Sequence, residues 1–242
     1  MGREKTTEKE RDLRVSVALL WGEQEAPTRG PKPSLSPARI AEAGVGIADA
    51  DGLDAVSMNR LAGELGVSAM ALYRYVPGKA EIVELMVEAV LAGRPEVGGD
   101  GGWRAGVERW ARASWAVYRA HPWLLAATAM RRQVMGPNQL GWLDAALTAL
   151  EPTDLPAAQR HRVFVLVVGL VRSVAQEVLD FDAEHARQWG ELTGELLARH
   201  ADRFPALTAA IAEGAWADTP ADPLAFGLER LLDGVQALID QG

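Results

Sequence analysis

Three residues in the first third of the chain have the types and the spacing that a tight helix-turn-helix requires. Ala62 supplies a small side chain where two helices cross, Gly66 tolerates positive φ in the turn, and Val67 plugs the gap between the helices. The second helix of such a pair has an outer side that fits the major groove of DNA. Arg74 and Lys79 bracket this predicted helix with positive charge, so the chemistry to expect here is nucleic-acid recognition.

The elements that position this turn are predicted from capping residues and helix breakers. A helix begins at Ser36-Pro37 and ends at Asp51-Gly52, and Pro77-Gly78 separates two later helices. Ser57 and Ser68 occupy the N-cap positions of the two helices of the turn. These later helices are predicted over 58–65, 69–75 and 79–91, with a shared core of Ile40, Ile47, Val56, Leu61, Leu65 and Leu72.

Residues 93–102 contain five glycines and one proline, a composition typical of a hinge or a domain boundary. The chain beyond this segment is predicted to be helical, over 103–120, 123–130, 137–150, 156–181, 183–203, 205–215 and 223–240. The fold class is therefore all-α, with an N-terminal three-helix helix-turn-helix domain followed by a larger helical domain. The predicted divisions are a flexible N-terminal arm over 1–34, the first domain over 35–92 and the second over 103–242.

Residues 36–85 resemble the DNA-binding domain of the TetR family of transcriptional regulators, of the TetR/AcrR type. The resemblance lies in the Gly-Val-Ser turn at 66–68, the Leu-Tyr-x-Tyr pattern at 72–75 and Lys-x-Glu-Ile at 79–82. The second half is similar to the tetracycline-repressor-like C-terminal domain in length, helix order and tryptophan content. The resemblance implies a homodimeric repressor whose first domain binds a palindromic operator in double-stranded DNA. Its second domain would then bind ligand and dimerise, and a small hydrophobic or aromatic effector would release the repressor.

The resemblance also implies roles for individual residues. The start of the second helix would meet phosphate or a nearby base, the outer side of the third would face base edges, and the residues after it would hold the DNA backbone. The implied DNA-binding residues are Ser57, Asn59, Arg60, Ser68, Ala69, Met70, Ala71, Tyr73, Arg74, Tyr75, Lys79 and, in the arm, Lys32. Considered alone, Tyr73 and Tyr75 are also consistent with half-buried packing residues, and Lys32 is also consistent with a solvated charge in a linker.

The net charge of −8 argues against DNA binding, because affinity for a duplex comes largely from cations that neutralise phosphates. Even residues 32–91 hold five basic against eight acidic residues, a net charge of −3. We therefore expect the placement of the charges, rather than their sum, to decide whether this segment binds DNA.

Six of the eight tryptophans lie between Trp103 and Trp189, and several of them around one cavity would suit a flat or hydrophobic ligand. The candidate effector-binding residues are Trp103, Trp110, Trp115, Tyr118, Trp123, Met130, Met135, Trp142, Phe164, Phe181 and His185. The alternative for each tryptophan is a plain core residue. The apolar helices predicted over 156–181 and 223–240 are candidates for a four-helix dimer interface, with intrachain core as the alternative.

The sequence lacks the motifs that would indicate several other classes of protein. The chain has no cysteine, its four histidines show no ligand spacing, and it carries no nucleophile elbow, phosphate loop or dinucleotide fingerprint. We therefore expect no enzyme, metal or cofactor. The longest apolar run, over 163–170, is too short to span a bilayer, so a cytoplasmic protein is expected. The alternative function is a helical small-molecule- or protein-binding module whose helix-turn-helix is structural only.

Overall fold

The computed structural model describes residues 13–23, 35–129, 134–179, 183–215 and 221–241. Every regular element in these ranges is helical, so the predicted all-α fold class is confirmed. The α-helices are α1 (Leu13–Leu20), α2 (Pro37–Asp51), α3 (Met58–Leu65), α4 (Ala69–Tyr73), α5 (Lys79–Val90), α6 (Gly102–Ala120), α7 (Leu124–Ala129), α8 (Pro137–Leu150), α9 (Ala157–Leu179), α10 (Ala183–Arg199), α11 (Pro205–Ala212) and α12 (Ala225–Ile239). Short 3₁₀ turns cover Leu53–Ala55, Glu151–Thr153 and Ala201–Arg203. Within the described ranges, no helix combines the length and the apolar character that crossing a membrane requires.

Serine caps start α2, α3 and α4. The side-chain oxygen of Ser36 accepts a hydrogen bond from the backbone N–H of Arg39 at 3.2 Å, and the oxygens of Ser57 and Ser68 accept from the N–H groups three residues onward at 3.3 Å. Each cap satisfies one of the backbone donors that the first turn of a helix leaves without an intrahelical partner. The three predicted helix starts are confirmed.

The turn between α3 and α4 depends on Gly66, which ends α3 in the left-handed region at φ 67° and ψ 31°. In this conformation the N–H of Val67 donates to the carbonyl oxygen of Ala62 at 2.9 Å, and the chain changes direction. The left-handed region costs a residue with a Cβ roughly 1–2 kcal/mol. The positive φ predicted for Gly66 is confirmed.

Several helices are shorter than the sequence predicts. The recognition helix α4 ends at Tyr73 rather than at residue 75, because the N–H of Tyr75 donates to the carbonyl of Leu72, three residues back, at 2.8 Å, and Pro77 has no N–H to donate to the carbonyl of Tyr73. The helices predicted over 183–203, 205–215 and 223–240 are observed over 183–199, 205–212 and 225–239. The helix predicted over 156–181 begins at Ala157 and is described as far as Leu179, and its predicted end lies outside the described residues. Helix ends tighten into 3₁₀ turns where carbonyl groups lack i+4 partners, as at Ala201–Arg203.

Part of the predicted flexible arm forms the helix α1. Leu19 and Leu20 on one face of α1 are buried and pack with α5. The indole N–H of Trp21 donates to the carbonyl oxygen of Met135 at 3.4 Å. The apolar piece within the arm is therefore long enough to bury one helical face, and the prediction of a flexible arm is wrong for this part. Residues 1–12 and 24–34 of the arm, including Lys32, lie outside the described residues.

Backbone contacts divide the chain into two compact units, of which the first ends at Asp154. The helix α5 is central to this first unit, because residues 81–88 are all buried and pack with α2, α7 and α8. Trp123 and Leu124 belong to the same core as Ile82 and Met86. The helix-turn-helix thus shares one core with the helices after it, and the glycine-rich segment lies inside this unit. The domain limits given above remain a prediction.

The second unit begins at Leu155 and contains a packed pair of helices, α9 and α12. The α9 face that contains Val163, Val167 and Val171 repeats every four residues and is buried. On α12, Leu228 and Leu232 are buried in the same periodic way. On each helix, one face is therefore buried in the intrachain core and the opposite face is exposed.

Candidate nucleic-acid interface

The recognition helix α4 has a buried side and an open side. Leu72 is completely buried, whereas the side chain of Met70 is 75% exposed and that of Tyr73 is 49% exposed. Arg74 follows directly at the C-cap and is also exposed. A helix of five residues is not stable alone, so Leu72 and the Ser68 cap must hold it in place. The outer side of α4 thus presents a thioether, a phenol and a guanidinium to an approaching partner.

The other residues predicted to contact DNA differ in how far they are exposed. Ser57 and Asn59 are exposed at the start of α3, and Ser68 is exposed at the start of α4. Ala69 and Ala71 are partly buried, and Tyr75 packs against the core as a half-buried side chain. Tyr75 therefore has the packing role that the sequence left open, while Tyr73 stands on the open side.

Two of the predicted cations already have partners within the protein. The guanidinium of Arg60 forms an ion pair with Asp51 at the end of α2, and both side chains are about half exposed. The ammonium group of Lys79 donates to the carbonyl oxygen of Leu53 at 3.3 Å. The charge of Arg60 is thus largely compensated, and Arg74 contributes more positive potential to the outer side of α4.

Three of the acidic residues of this segment are withdrawn from the surface. Glu81, Glu84 and Glu88 of α5 are buried, with exposed fractions of 6%, 2% and 7%. Glu84 and Glu88 accept hydrogen bonds from backbone N–H groups between residues 134 and 139. Three of the eight acids counted against DNA binding therefore cannot meet a phosphate. Acidic residues at one-turn spacing within an otherwise apolar helix are the sequence signal that would have revealed this placement.

Another interaction missed from the sequence joins α2 to the turn after α6. The carboxylate of Asp49 accepts from the indole N–H of Trp123 at 2.7 Å and lies 2.8 Å from Nδ1 of His121. A single acid on α2 thus fixes the orientation of both rings. No spacing rule links residues more than 70 positions apart, so sequence reasoning had no signal for this contact.

Three of the candidate effector-binding tryptophans are buried and have internal partners for their N–H groups. The rings of Trp110 and Trp142 meet edge to face with centroids 6.1 Å apart. The Trp110 N–H donates to the carbonyl of Trp142 at 2.9 Å, and the Trp142 N–H donates to the carbonyls of Leu91 and Gly93. The indole N–H of Trp123 also has an internal acceptor, so all three N–H groups are already used within the protein. Only the ring surfaces of these residues are left for contact with a ligand.

The remaining effector candidates are distributed over both units. Trp103, Trp115 and Tyr118 on α6 are partly buried, Met135 is half exposed, and Phe164 lies partly buried on α9 in the second unit. Met130, Phe181 and the side chain of His185 lie outside the described residues. An open cleft of about 370 Å³ in the first unit is lined by Arg94–Gly98 and Thr148, and none of the candidates lines it. The effector site remains a prediction.

Comparison with protein families gives two matches that follow the order of the helices. Residues 40–86 match the model of bacterial regulatory proteins of the tetR family. Residues 95–239 match the tetracyclin repressor-like C-terminal domain, which alone covers more than half of the chain.

Individual proteins agree with this assignment. The chain is 38% identical over 242 residues to the HTH-type transcriptional repressor DrrR1 of Streptomyces coeruleorubidus, covering 95% of this chain and 88% of the relative. Among solved structures, apo ActR from Streptomyces coelicolor superposes with a TM-score of 0.72 at 28% identity, covering 87% of this chain and 99% of ActR. The complex of ActR with actinorhodin gives a TM-score of 0.70 at 28% identity, covering 86% and 97%. With its helix-turn-helix, its C-terminal helices and a relative of this identity all in agreement, the chain belongs to the TetR family.

Proposed function

We propose that this protein is a transcriptional repressor that binds a palindromic operator as a homodimer and is released by a small molecule. The observation that carries the proposal is the open side of α4, where Met70 and Tyr73 stand exposed above a fully buried Leu72. This is the arrangement that an element entering the major groove needs. Because DNA is its partner, we place the protein in the cytoplasm.

Within this proposal, the base edges meet Met70 and its flanking alanines, and the DNA backbone meets Tyr73 and Arg74. A thioether and two methyl groups make apolar contacts with a thymine methyl group, but they cannot form the paired hydrogen bonds by which Arg or Asn selects a purine. Asn59, Arg74 and the shape of the duplex then supply the rest of the sequence preference. Arg60 reaches phosphate only by sharing or leaving its ion pair with Asp51.

The dimer is proposed to form through the outer faces of α9 and α12. On α9, Val165 and Leu166 are 51% and 58% exposed, although the opposite face of the same helix is buried. On α12, Phe226 is 77% exposed. Apolar side chains of this size, left open on two helices that already pack together, form a surface that a second copy can bury in a four-helix bundle.

The effector is proposed to be a small apolar or aromatic molecule, bound next to α6 and α8. Trp103, Trp115 and Tyr118 line α6 at partly buried positions, which leaves ring surface available to a ligand. ActR, the relative whose structure was solved with actinorhodin bound, supports an organic ligand for this fold. A ligand that binds the two orientations of the helix-turn-helix unequally shifts the protein toward the form that leaves DNA.

The test begins with selection of duplexes from a random pool by the purified protein. A palindromic consensus, bound with a steep loss of affinity as salt increases, is expected. Compounds, with actinorhodin as the first probe, are then screened for release of the selected duplex. Recovery of no preferred sequence, or binding that is indifferent to salt, would contradict the DNA-binding proposal. It would favour a ligand-binding or protein-binding module with a structural helix-turn-helix.

A further inference from the structure

The buried carboxylates of α5 form contacts that the DNA-binding surface does not use. Ionised side chains are rarely buried unless hydrogen bonds compensate for the lost water, so a buried glutamate needs a local reason. Glu84 and Glu88 lie one turn apart on the side of α5 that faces the start of α8. Both carboxylates are directed at backbone N–H groups.

Glu88 takes the place of the missing N-cap side chain of α8. The N-cap residue of this helix is Gly136, which has no side chain to accept a hydrogen bond. The Glu88 carboxylate accepts from the N–H of Asn138 and, at 3.3 Å, from that of Gln139. In return, the Asn138 side chain donates to the backbone carbonyl of Glu88 at 2.9 Å. A negative charge at a helix N-terminus is also favoured by the helix dipole.

Two further features show that the site is built around this carboxylate. Glu84 adds a contact to the segment before α8, since its Oε1 accepts a hydrogen bond from the N–H of Val134 at 3.2 Å. At Gly136 an added Cβ would lie 2.5 Å from the carboxyl carbon of Glu88, so only glycine leaves room for the group. The φ of Gly136 is −86°, a value open to any residue, and the reason for glycine here is therefore space rather than backbone conformation.

The opposite end of α5 belongs to the helix-turn-helix. It begins at Lys79, five residues after the exposed Arg74, and its Ile82 and Met86 are completely buried in the core shared with α2. A helix anchored at one end beside α4 and at the other on α8 transmits a change in tilt from one end to the other. We propose that Glu88, assisted by Glu84, is a positioning residue that sets the tilt of α5 and thereby the separation of the two recognition helices in the dimer. This inference rests on the proposed dimeric operator binding.

The test compares operators that differ only in half-site separation. The selected palindrome and versions with one base pair added or removed at its centre are titrated with the natural chain, Glu88→Ala, Gly136→Ala and the double variant. Gly136→Ala retains the glutamate but displaces its carboxylate, so it serves as a milder change. Glu108→Ala removes a partly exposed carboxylate, paired with Arg104 on α6, and is the control for loss of a glutamate. Circular dichroism and sedimentation establish that each variant is folded and dimeric.

We expect the natural chain and Glu108→Ala to prefer one separation, and both single variants to lose about fivefold of that preference. The double variant should lose no more than either single variant, because both changes remove the same contact. A purely structural role would lower the active fraction for all three duplexes and leave their ratio unchanged. An unchanged ratio in Gly136→Ala, or additive losses, would overturn the inference. Failure of the natural chain to bind any duplex would contradict the proposed function itself.

Discussion

The side chains of α4 that are proposed to meet the base edges are all apolar. Met70 is 75% exposed, and its neighbours Ala69 and Ala71 carry only methyl groups. Hydrogen-bonding discrimination by these three positions is therefore excluded by their chemistry. Contact with the 5-methyl group of thymine is the recognition left to them.

The first prediction isolates this methyl contact. Replacing a contacted thymine by uracil removes one methyl group, and each buried methyl or methylene group is worth ~0.8 kcal/mol, about fourfold in affinity. We expect this loss for the natural chain and a much smaller one for Met70→Ala, measured by fluorescence anisotropy. Uracil placed outside the half-sites is the control. Equal sensitivity of both proteins to uracil would show that Met70 does not touch the methyl group.

The two arginines of the helix-turn-helix give a second, matched prediction. Arg74 is exposed at the end of α4, whereas Arg60 is paired with Asp51. Each phosphate contact contributes about 0.9 to the slope of log affinity against log salt. We expect Arg74→Gln to reduce that slope by about this amount for each protomer bound to the operator. Arg60→Gln should reduce the slope less, because Asp51 already compensates its charge; the reverse order would contradict this assignment.

At the scale of elements, the geometry of the turn between α3 and α4 rests on one backbone conformation. Gly63 and Gly66 are three residues apart, and an added Cβ would meet open space at both. They differ in φ, since Gly63 lies inside the helix α3 and Gly66 is left-handed. Any difference between substitutions at these two positions therefore reports the backbone rather than side-chain packing.

The third prediction uses this pair of glycines. Gly66→Ala is expected to lower the free energy of unfolding by roughly 1 kcal/mol, because alanine is disfavoured in the left-handed region. Gly63→Ala should raise it by roughly 0.5–1 kcal/mol, since alanine restricts the unfolded chain and favours helix. Urea denaturation of the purified variants measures both. If the two substitutions had the same sign, the turn would not depend on the φ of Gly66.

The fourth prediction concerns α1, which lies before the segment that matches the DNA-binding family model. Leu19 is 5% exposed in the core shared with α5, whereas Val17 is 39% exposed on the same helix. Leu19→Ala should cost about 2–3 kcal/mol of unfolding free energy through the cavity it leaves. Val17→Ala should change it by less than about 0.5 kcal/mol. Equal effects in thermal or urea unfolding would mean that α1 is not part of the core.

The sequence predicts the local features of the fold well because those features have local causes. Ser36, Ser57 and Ser68 cap through hydrogen bonds that span three residues, and Gly66 sets its own φ. Contacts such as Asp49 with Trp123, or Glu88 with Asn138, join residues 50 or more positions apart and leave no periodic signal. For the same reason, the sequence predicts α1 as part of a flexible arm. Its apolar face is short, and no pattern in the sequence indicates that α5 buries it.

At the scale of the whole molecule, the placement of charge reduces the conflict between the net negative charge of the protein and the negative charge of DNA. Three glutamates of α5 are directed inward, Asp51 is paired with Arg60, and α4 itself contains no acidic residue. Five of the eight acids in residues 32–91, namely these four and Asp49, are thus buried or paired within the protein, whereas Glu42, Asp54 and Glu64 are exposed. In the proposed complex, DNA meets the outer side of α4 and the exposed Arg74, and the second copy of the proposed dimer doubles that surface.

The last prediction tests the dimer on which two-site DNA binding depends. Leu166 on α9 is 58% exposed, and Leu166→Glu would place a charge in the proposed interface, where an unpaired buried carboxylate is strongly unfavourable. We expect sedimentation equilibrium to show a monomer with unchanged helical content. Linked binding at two sites gains at least about 100-fold over binding at one, so affinity for the full operator should fall by that order while affinity for a half-site stays the same.

Ile211→Glu introduces the same charge on α11, at a residue 45% exposed outside the proposed interface, and should remain dimeric. Because both variants carry the same added charge, a loss of operator affinity confined to Leu166→Glu would arise from dissociation of the dimer rather than from repulsion of DNA.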